Sequence, residues 1–439
     1  MVALGVPLAA TQIGLMLIGV VEVLIVGRAG TDALGAVALG NVWIFGTMFI
    51  ANGIVMGIDP LISQAHGAGD HAGVALAFQR GLVVALVLSI PLAGCWLLTE
   101  PALLLFGQDA GLAREAASFA RVQAPSAAGL LVFTVNRQYL AGRGIVAPAV
   151  FALILGNVVN AVACWALVLG KLGAPALGVV GAGLAAGLSR VFIAASLLVL
   201  TFRYGLHRDA WVPWSRAVLE PRPLLAILGV GVPIGLQFAF EVWAFQFATL
   251  LAGRLGKTEL AAHTIVLNLA ALSFMVPFGI SMAASVRVGN LVGAGNGSGA
   301  RTSALLALGL TAALMLGAAC IFFFARNGLP LAYGALPHVR EVAASILPIA
   351  AAFQLFDGLQ AVGGGILRGL GRTRPAALFN LVGYYVLALP LSAWLAFEAK
   401  IGLPGVWIGL AVGLAAIAIA LVSVIAPARA FGAVRRVEA

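Results

Sequence analysis

Glu241 is an acidic residue inside a long apolar stretch of the sequence, where a carboxylate has no water around it. Gln237 lies one helical turn before it on the same face, and Phe238 and Phe245 flank it. A carboxylate near the centre of a membrane helix costs about 2.5–3.5 kcal/mol on insertion scales, which makes it a candidate functional residue. The simpler interpretation is a carboxyl group that hydrogen-bonds one helix to another.

Asp357 shows the same pattern in a second apolar stretch. Gln354 and Gln360 lie three residues on either side of it, so a helix places all three on one face. A polar stripe in an otherwise apolar helix indicates a cavity or a bound ion. Hydrogen bonding between helices is again the simpler alternative.

Glu22 is the third acid in an apolar stretch, and it lies closer to the predicted outer surface, where a carboxylate is less costly. Asn157 and Asn160 are three residues apart in another apolar stretch. Together the three residues could form a second cation site, although single Asn residues also connect helices.

The composition requires a membrane to solvate these segments. Hydrophobic residues make up 62% of the 439 residues and charged residues 9%, whereas a soluble domain carries about 25% charged residues. At roughly 20 residues a span plus a loop, the length predicts about twelve spans. We therefore expect an all-α polytopic membrane protein. The chain begins almost inside its first span, which leaves open a natural start upstream of Met1.

Twelve apolar segments can be assigned. They cover residues 3–27, 33–60, 75–98, 116–140, 147–169, 177–201, 224–252, 260–288, 301–324, 342–366, 376–397 and 404–427. The one long polar connection predicts an N-terminal lobe at residues 1–201, a cytoplasmic linker at 202–223 and a C-terminal lobe at 224–439.

The basic residues predict the orientation. Fifteen lie after even-numbered spans or in the tail: Arg80, Arg137, Arg143, Arg203, Arg208, Arg216, Arg222, Arg287, Arg301, Arg368, Arg372, Arg374, Arg429, Arg435 and Arg436. Eight lie on the other side: Arg28, Arg114, Lys171, Arg254, Lys257, Arg326, Arg340 and Lys400. Because Lys and Arg concentrate in cytoplasmic loops, both termini are predicted to be cytoplasmic.

The two halves of the sequence repeat each other. Gly5-Val6-Pro7 recurs as Gly231-Val232-Pro233, and Gly67-Ala68-Gly69 recurs as Gly293-Ala294-Gly295, in both cases 226 residues later. Six spans a half is an even number, so the halves have the same orientation. This predicts two parallel six-helix lobes related by a pseudo-two-fold axis along the membrane normal, a plan typical of transporters.

Several function classes are disfavoured by the sequence. The net charge of +10 is scattered between apolar spans, so no nucleic-acid-binding face is expected. Cys95, Cys164 and Cys320 are too isolated for a disulfide framework or a zinc site. No P-loop or hydrolase motif occurs in the sequence, which argues against an enzyme and against a cofactor.

These features resemble the multidrug and toxic compound extrusion (MATE) family over essentially the full length. The most specific stretches run from Gly231 through Glu241 to Asn268, from Phe356 to Pro375, and from Gln64 to Gly69. A seventh-helix Glu with a tenth-helix Asp is similar to the NorM-type and plant-type branches, which keep a cation-coupling site in the C-terminal half.

The resemblance implies an antiporter that exports organic, often cationic amphipathic compounds by alternating access. Glu241 and Asp357 would bind the coupling ion, Na⁺ or H⁺, while Gln237, Phe238, Phe245, Gln354 and Gln360 would line the substrate cavity. Glu22 replaces the Asp that NorM-like relatives carry in the first helix, and with Asn157 and Asn160 it would form a possible N-lobe cation site. We expect a monomer in a bacterial inner membrane whose partners are the lipid bilayer and small organic substrates.

The main alternative is a lipid-linked oligosaccharide flippase of the related superfamily. Such a protein requires a cationic cavity for pyrophosphate, whereas Glu241 and Asp357 make the predicted cavity acidic. A channel is a weaker alternative, since a duplicated scaffold does not by itself require alternating access.

Overall fold

The computed structural model describes residues 2–431, without the side chains of residues 2, 3 and 429. Arg435 and Arg436, which contribute to the predicted basic tail, lie outside the described residues. The α-helices in chain order are α1 (Val2–Val26), α2 (Thr31–Val55), α3 (Ile58–Gly67), α4 (His71–Leu97), α5 (Thr99–Leu105), α6 (Ala110–Arg121), α7 (Ser126–Gly142), α8 (Ala147–Leu169), α9 (Gly178–Arg203), α10 (Pro221–Leu255), α11 (Lys257–Gly293), α12 (Gly297–Phe324), α13 (Pro337–Gly369), α14 (Arg374–Leu381), α15 (Leu389–Ala393) and α16 (Leu403–Ile425).

The predicted all-α membrane fold is confirmed. Eleven helical segments within residues 2–431 are long and apolar enough to cross a membrane. α7, with 17 residues, takes the place of the predicted fourth span. That span was predicted as one helix over residues 116–140, but the structure divides it between α6 and α7. Pro125 precedes α7 and cannot donate a helical hydrogen bond, which accounts for a break at this position.

The eleventh span is an irregular helix. α14 and α15 are separated by a π-helical stretch at Val382–Ala388, and a second one follows at Trp394–Glu398. Pro390 has no N–H group to bond to the carbonyl four residues earlier, so a regular α-helix is interrupted here. Widened turns of this kind occur frequently at functional sites.

Packing divides the described chain into two units. The N-unit contains residues 10–235, and the C-unit contains residues 2–9 with 236–431. The boundaries fall inside α1 and α10, so each of these helices contributes to both units. The lobe limits predicted from the sequence stay predictions.

The N-unit is packed around large aromatic and aliphatic side chains. Phe78 of α4 and Tyr139 of α7 are fully buried, with ring centroids 4.3 Å apart. Tyr139 also donates a hydrogen bond from its hydroxyl to the carbonyl of Ala210, over 2.9 Å. Gln79 donates in the same way to Val212 over 2.7 Å, which fixes the connection between α9 and α10 on the ends of α4 and α7.

The C-unit is packed through glycines on α13 that approach α11 closely. A Cβ atom at Gly365 would collide with the carbonyl oxygen of Ser281, and one at Gly369 with that of Ser285. Small residues allow this approach between helices in a membrane. The close packing fixes α13, which carries Asp357 and Gln360, against α11.

Candidate ion and substrate sites

Glu241 lies near the middle of α10 and is half-buried in the C-unit. Its Oε2 accepts a hydrogen bond from Nε2 of Gln360 on α13, over 3.0 Å. Gln360 is completely buried, so the bond joins the two helices away from water. Glu241 and Gln360, which were predicted separately from the sequence as site residues, are therefore in direct contact.

Asp357 lies three residues before Gln360 on α13 and is 4% exposed. Its carboxyl group is close enough to that of Glu241 for the two to repel each other electrostatically. Two carboxylates in one apolar site are costly when both are ionised. A cation or a proton at this place would relieve the repulsion.

Two further polar residues join the site from the eleventh span. Asn380 accepts a hydrogen bond from Nε2 of Gln360 at 3.4 Å, and Tyr384 lies within electrostatic range of both carboxyl groups. Both side chains are completely buried. Our sequence interpretation missed them, although two polar residues four apart on one face of an apolar helix were the available signal.

Gln354 and Phe245 lie elsewhere in the C-unit. Gln354 accepts a hydrogen bond from Ser273 of α11 over 2.6 Å rather than contacting a carboxyl group. The ring of Phe245 packs against Phe353 and Tyr384, with centroids 6.0 Å away in each case. Phe245 thus reaches the acidic site only through Tyr384, and Gln354 is bonded to α11.

A small cavity opens beside Glu241. Its lining residues are Gln237, Phe238, Glu241, Phe274, Phe278, Ser281, Ala361, Gly364, Gly365 and Arg368. Its volume is about 10 Å³, roughly the space that one water molecule needs. A drug-sized ligand needs a pocket of about 300 Å³ or more. The cavity as it stands accepts a small ion or a water molecule and excludes an organic substrate.

Aromatic side chains form the wall of this cavity. Phe274 and Phe278 of α11 are stacked with centroids 5.6 Å apart, and Phe238 of α10 meets Phe278 edge-on at 6.0 Å. Sequence reasoning identified Phe238 but not the two rings on α11, since Phe residues at helical spacing are indistinguishable from ordinary core residues. These three rings therefore limit the cavity on one side.

Glu22 lies on α1 in the N-unit and is 3% exposed. Asn41 of α2 is the polar neutral side chain beside it, and the thiol of Cys164 on α8 is within electrostatic range. Its Oε1 has no hydrogen-bond partner within the described residues. The sequence correctly placed Glu22 in an apolar stretch but did not indicate any of these neighbours.

Arg190 of α9 lies within electrostatic range of Glu22. Its Nη1 donates a hydrogen bond to Oε1 of Gln123 over 2.5 Å, and its guanidinium lies over the ring of Trp96 at 5.4 Å. Arg190 lies inside the sixth predicted span, residues 177–201.

Asn157, one of the two Asn residues predicted for the N-lobe site, contacts α1 at a point well away from Glu22. Asn157 donates from Nδ2 to the carbonyl of Gly14 over 2.9 Å. Gly14 is eight residues from Glu22 on the same helix, or about 12 Å along its axis at 1.5 Å a residue. Asn160 is completely buried one turn further along α8, and its side-chain N and O atoms have no hydrogen-bond partner within residues 2–431.

The oxygen atoms of the C-unit site suit a small hard cation or a proton. Within the described residues, no group of three or more His, Cys, Asp or Glu side chains could hold a metal ion. The C-unit site instead offers two carboxyl groups and the Oε1 of Gln360, which has no hydrogen-bond partner within residues 2–431. Oxygen ligands of this type bind hard cations, whereas imidazole and thiolate select transition metals.

Comparisons with known proteins identify the family of the chain. The sequence model of the MatE family matches two stretches, residues 7–166 and 233–394. Their starts are 226 residues apart, the same separation as in the internal repeat. The repeat is thus the family's domain occurring twice.

The similarity to known proteins covers nearly the whole chain. The probable multidrug resistance protein NorM of Burkholderia pseudomallei is 35% identical over 423 residues, which cover 94% of this chain and 89% of NorM. The multidrug and toxin extrusion protein 2 of Mus musculus is 33% identical, with 94% of this chain and 71% of the mouse protein covered. The crystal structure of the eukaryotic MATE transporter AtDTX14 superposes with a TM-score of 0.89 at 26% identity, covering 97% of this chain and 94% of that one. The chain therefore belongs to the MatE family, the multidrug and toxic compound extrusion (MATE) transporters, which are not enzymes.

Proposed function

We propose that this protein is a cation-coupled antiporter that exports organic, often cationic amphipathic compounds, with Glu241 and Asp357 as the site of the coupling ion. The observation that carries the proposal is the buried contact between Glu241 and Gln360, with Asp357 one turn away. A transporter that needs a cation gradient requires a site of this chemistry within a span.

Competition between the ion and the substrate explains antiport. A cation or proton at the two carboxyl groups removes the negative charge that would attract a positively charged substrate. The ion enters from outside, weakens substrate binding there and favours release. Each charge that crosses 100 mV contributes about 2.3 kcal/mol to this exchange.

The aromatic wall explains how one site could accept many substrates. The cavity of about 10 Å³ must enlarge before an organic molecule can enter. Rotation of Phe238, Phe274 and Phe278 would open it without disturbing the close backbone packing of α11 on α13. The rings would then contact apolar parts of a substrate, while Glu241 contacts its positive group.

The flippase alternative has weaker support. The relatives NorM and the mouse extrusion protein are named for multidrug resistance and for multidrug and toxin extrusion. At the C-unit site the two acidic groups, Glu241 and Asp357, outnumber the one basic group, Arg368. A bound pyrophosphate would meet Glu241 and Asp357 and be repelled. We propose the bacterial inner membrane as the location, with both termini in the cytoplasm because the basic residues divide fifteen to eight.

Purified protein in liposomes provides the direct test. Efflux or counterflow of a fluorescent organic cation is measured under an imposed Na⁺ gradient, an imposed pH gradient, or neither. We expect one of the gradients to accelerate transport and Glu241→Gln to abolish that acceleration. Equal transport with and without both gradients would contradict the proposal, and scrambling of a labelled lipid-linked oligosaccharide would favour the flippase.

A further inference from the structure

We propose that the C-unit binds an anionic phospholipid in a groove between α12 and α13, with Arg326 as the residue that contacts the phosphate. The proposal goes beyond the proposed transport function, because it concerns a surface that Glu241 and Asp357 do not line. It rests on an apolar groove that opens on the protein surface and on a cation at the edge of that groove.

The groove is large and apolar. Its volume is about 290 Å³, against about 10 Å³ for the cavity beside Glu241. The side chains that form its walls include Leu316, Cys320, Phe323 and Phe324 on α12, and Ala352 and Leu355 on α13. Leu316 is 52% exposed and Phe324 is 81% exposed, so the groove opens outwards. In a bilayer, walls of this composition accommodate a hydrocarbon chain.

Arg326 places a positive charge at the edge of the groove. It follows the end of α12 by two residues, is exposed, and holds its Cζ 5.4 Å from the ring centroid of Phe323, which forms part of the wall. A guanidinium stacked on a ring still presents N–H groups at its edge, where they fit two oxygens of a phosphate. The ion pairs found within residues 2–431 join Glu100 and Glu220 to other arginines. Among those residues no carboxylate therefore lies within 4.0 Å of the Arg326 guanidinium nitrogens.

The groove has the depth of one leaflet. Arg326 lies just beyond the ninth predicted span, on the side predicted to be periplasmic, where lipid headgroups lie. Ala352 and Leu355 lie near the middle of the tenth predicted span, residues 342–366. A phospholipid with its phosphate at Arg326 would therefore direct one chain along α13 towards the bilayer centre. A zwitterionic lipid carries its own cation beside the phosphate, so an anionic lipid complements Arg326 better.

The lipid would lie on the face of α13 opposite the proposed ion site. Ala352 and Leu355 are three residues apart and share one face of the helix. Asp357 follows Leu355 by two residues, which places it about 200° further around the axis at 3.6 residues a turn. The groove and the ion site are thus separate, so lipid binding can be measured without an ion gradient.

Native mass spectrometry of the purified full-length protein tests the role of Arg326. The protein in detergent is incubated with equal amounts of phosphatidylglycerol and phosphatidylcholine that carry the same chains. We expect the unmodified protein to retain phosphatidylglycerol preferentially and Arg326→Gln to bind it about tenfold more weakly, the factor that corresponds to one charge-assisted hydrogen bond. Binding of phosphatidylcholine should not change. Arg114→Gln is the matched control, because Arg114 is exposed on the same predicted side and does not line the groove.

Cys320 reports whether the lipid occupies the groove. In a background with Cys95 and Cys164 replaced by Ala, Cys320 is the only thiol, and it is exposed in the groove wall. Its modification by N-ethylmaleimide, followed by intact mass, should slow several-fold when phosphatidylglycerol is added. Arg326→Gln should abolish this protection, and phosphatidylcholine at the same concentration should protect less.

A third variant fills the groove instead of removing the charge. Ala352→Trp should lower the retention of both lipids, because the indole takes the place of the chain. Equal retention of phosphatidylglycerol by the unmodified protein and Arg326→Gln would overturn the proposal, as would an equal loss in Arg114→Gln or unchanged modification of Cys320 in the presence of the lipid. Because these assays use no ion gradient, their failure leaves the antiport proposal standing, and a failure of gradient-driven transport leaves the lipid site standing.

Discussion

Gln360 donates its Nε2 hydrogen bond to Glu241 over 3.0 Å and reaches Asn380 at 3.4 Å with the same nitrogen. One carboxamide therefore connects α13 with α10 and with the eleventh span. Its Oε1 has no hydrogen-bond partner within residues 2–431 and remains available as an oxygen ligand. Gln360 is thus placed both to orient the Glu241 carboxylate and to contact the ion that this carboxylate binds.

We predict that Gln360→Met weakens ion binding without unfolding the protein. A hydrogen bond to a charged group contributes about 1.5–3 kcal/mol, and about 1.4 kcal/mol corresponds to a factor of ten in affinity. The half-saturating concentration of the coupling ion should rise by about tenfold or more. The measurement is transport rate against ion concentration in proteoliposomes.

Gln354→Met is the matched control for that substitution. Gln354 is equally buried on the same helix, but its partner is Ser273. We expect little change in the half-saturating ion concentration, together with a modest loss of stability. If Gln354→Met weakened ion binding as much as Gln360→Met, the special role of the bond to Glu241 would be disproved.

We predict that Glu241→Gln and Asp357→Asn each abolish gradient-driven efflux while the protein stays folded. The two carboxyl groups interact with each other, so they act as one site, and effects within such a unit are not additive. The double variant should therefore transport no worse than either single variant. Efflux under the gradient and thermal unfolding in detergent are measured side by side.

Glu22→Gln is the comparison in the other unit. It should impair efflux less than either C-unit substitution, because the predicted partner Asn157 bonds to Gly14, eight residues from Glu22, instead of completing a site there. Normal melting with undiminished efflux in Glu241→Gln or Asp357→Asn would remove both residues from the ion site.

The sequence predicted features that depend on neighbours along one helix. The span at residues 147–169 coincides with α8, because Gly170 follows it in a left-handed conformation and ends the helix. The shared face of Asp357 and Gln360 also follows from helical spacing alone. Such features need only the period of 3.6 residues and the local stop signals.

The sequence could not predict which faces meet. Glu22 and Arg190 are far apart along the chain, and nothing in either segment indicates the other. The position of Tyr384 near Glu241 and Asp357 could not be predicted for the same reason, since those carboxyl groups lie on other helices. These pairings are set by packing between helices, which periodicity within a helix does not contain.

We predict that the connection between α9 and α10 is cytoplasmic. Trp214 lies in this connection and is 54% exposed, so a cysteine there would be accessible. In a background with Cys95, Cys164 and Cys320 replaced by Ala, Trp214→Cys should react with a membrane-impermeant maleimide in inverted vesicles and not in intact cells.

Gln108→Cys is the matched control for orientation. Gln108 is exposed in the connection between α5 and α6, on the side predicted to be periplasmic. It should react in intact cells. The reverse labelling pattern at both positions would invert the proposed topology, while labelling of both from one side would contradict the three spans, α7, α8 and α9, that separate the two positions.

Glycines on α13 should be sensitive to substitution where they contact backbone. A Cβ at Gly365 would collide with the carbonyl oxygen of Ser281, whose hydroxyl donates to Ala361 over 2.6 Å. Because a backbone carbonyl cannot rotate away, α11 and α13 would have to separate. We predict that Gly365→Ala lowers the free energy of unfolding by about 1–3 kcal/mol, the usual range for overpacking.

Gly94→Ala on α4 tests whether close packing, rather than the mere replacement of a glycine, causes the loss of stability predicted for Gly365→Ala. A Cβ at Gly94 would have no neighbour within 4 Å beyond the backbone of its own helix, so the added methyl group meets open space. Ala favours a helix over Gly by up to about 1 kcal/mol, and this variant should be as stable as the unmodified protein or slightly more so.

Unfolding of both variants is measured in the same detergent, with ion-driven transport as a second readout. Because Gly365 also lines the cavity beside Glu241, separation of α11 from α13 should reduce transport in Gly365→Ala and leave Gly94→Ala unaffected. Equal stability of the two variants would show that the close contact between Gly365 and Ser281 does not determine the packing of α13 against α11.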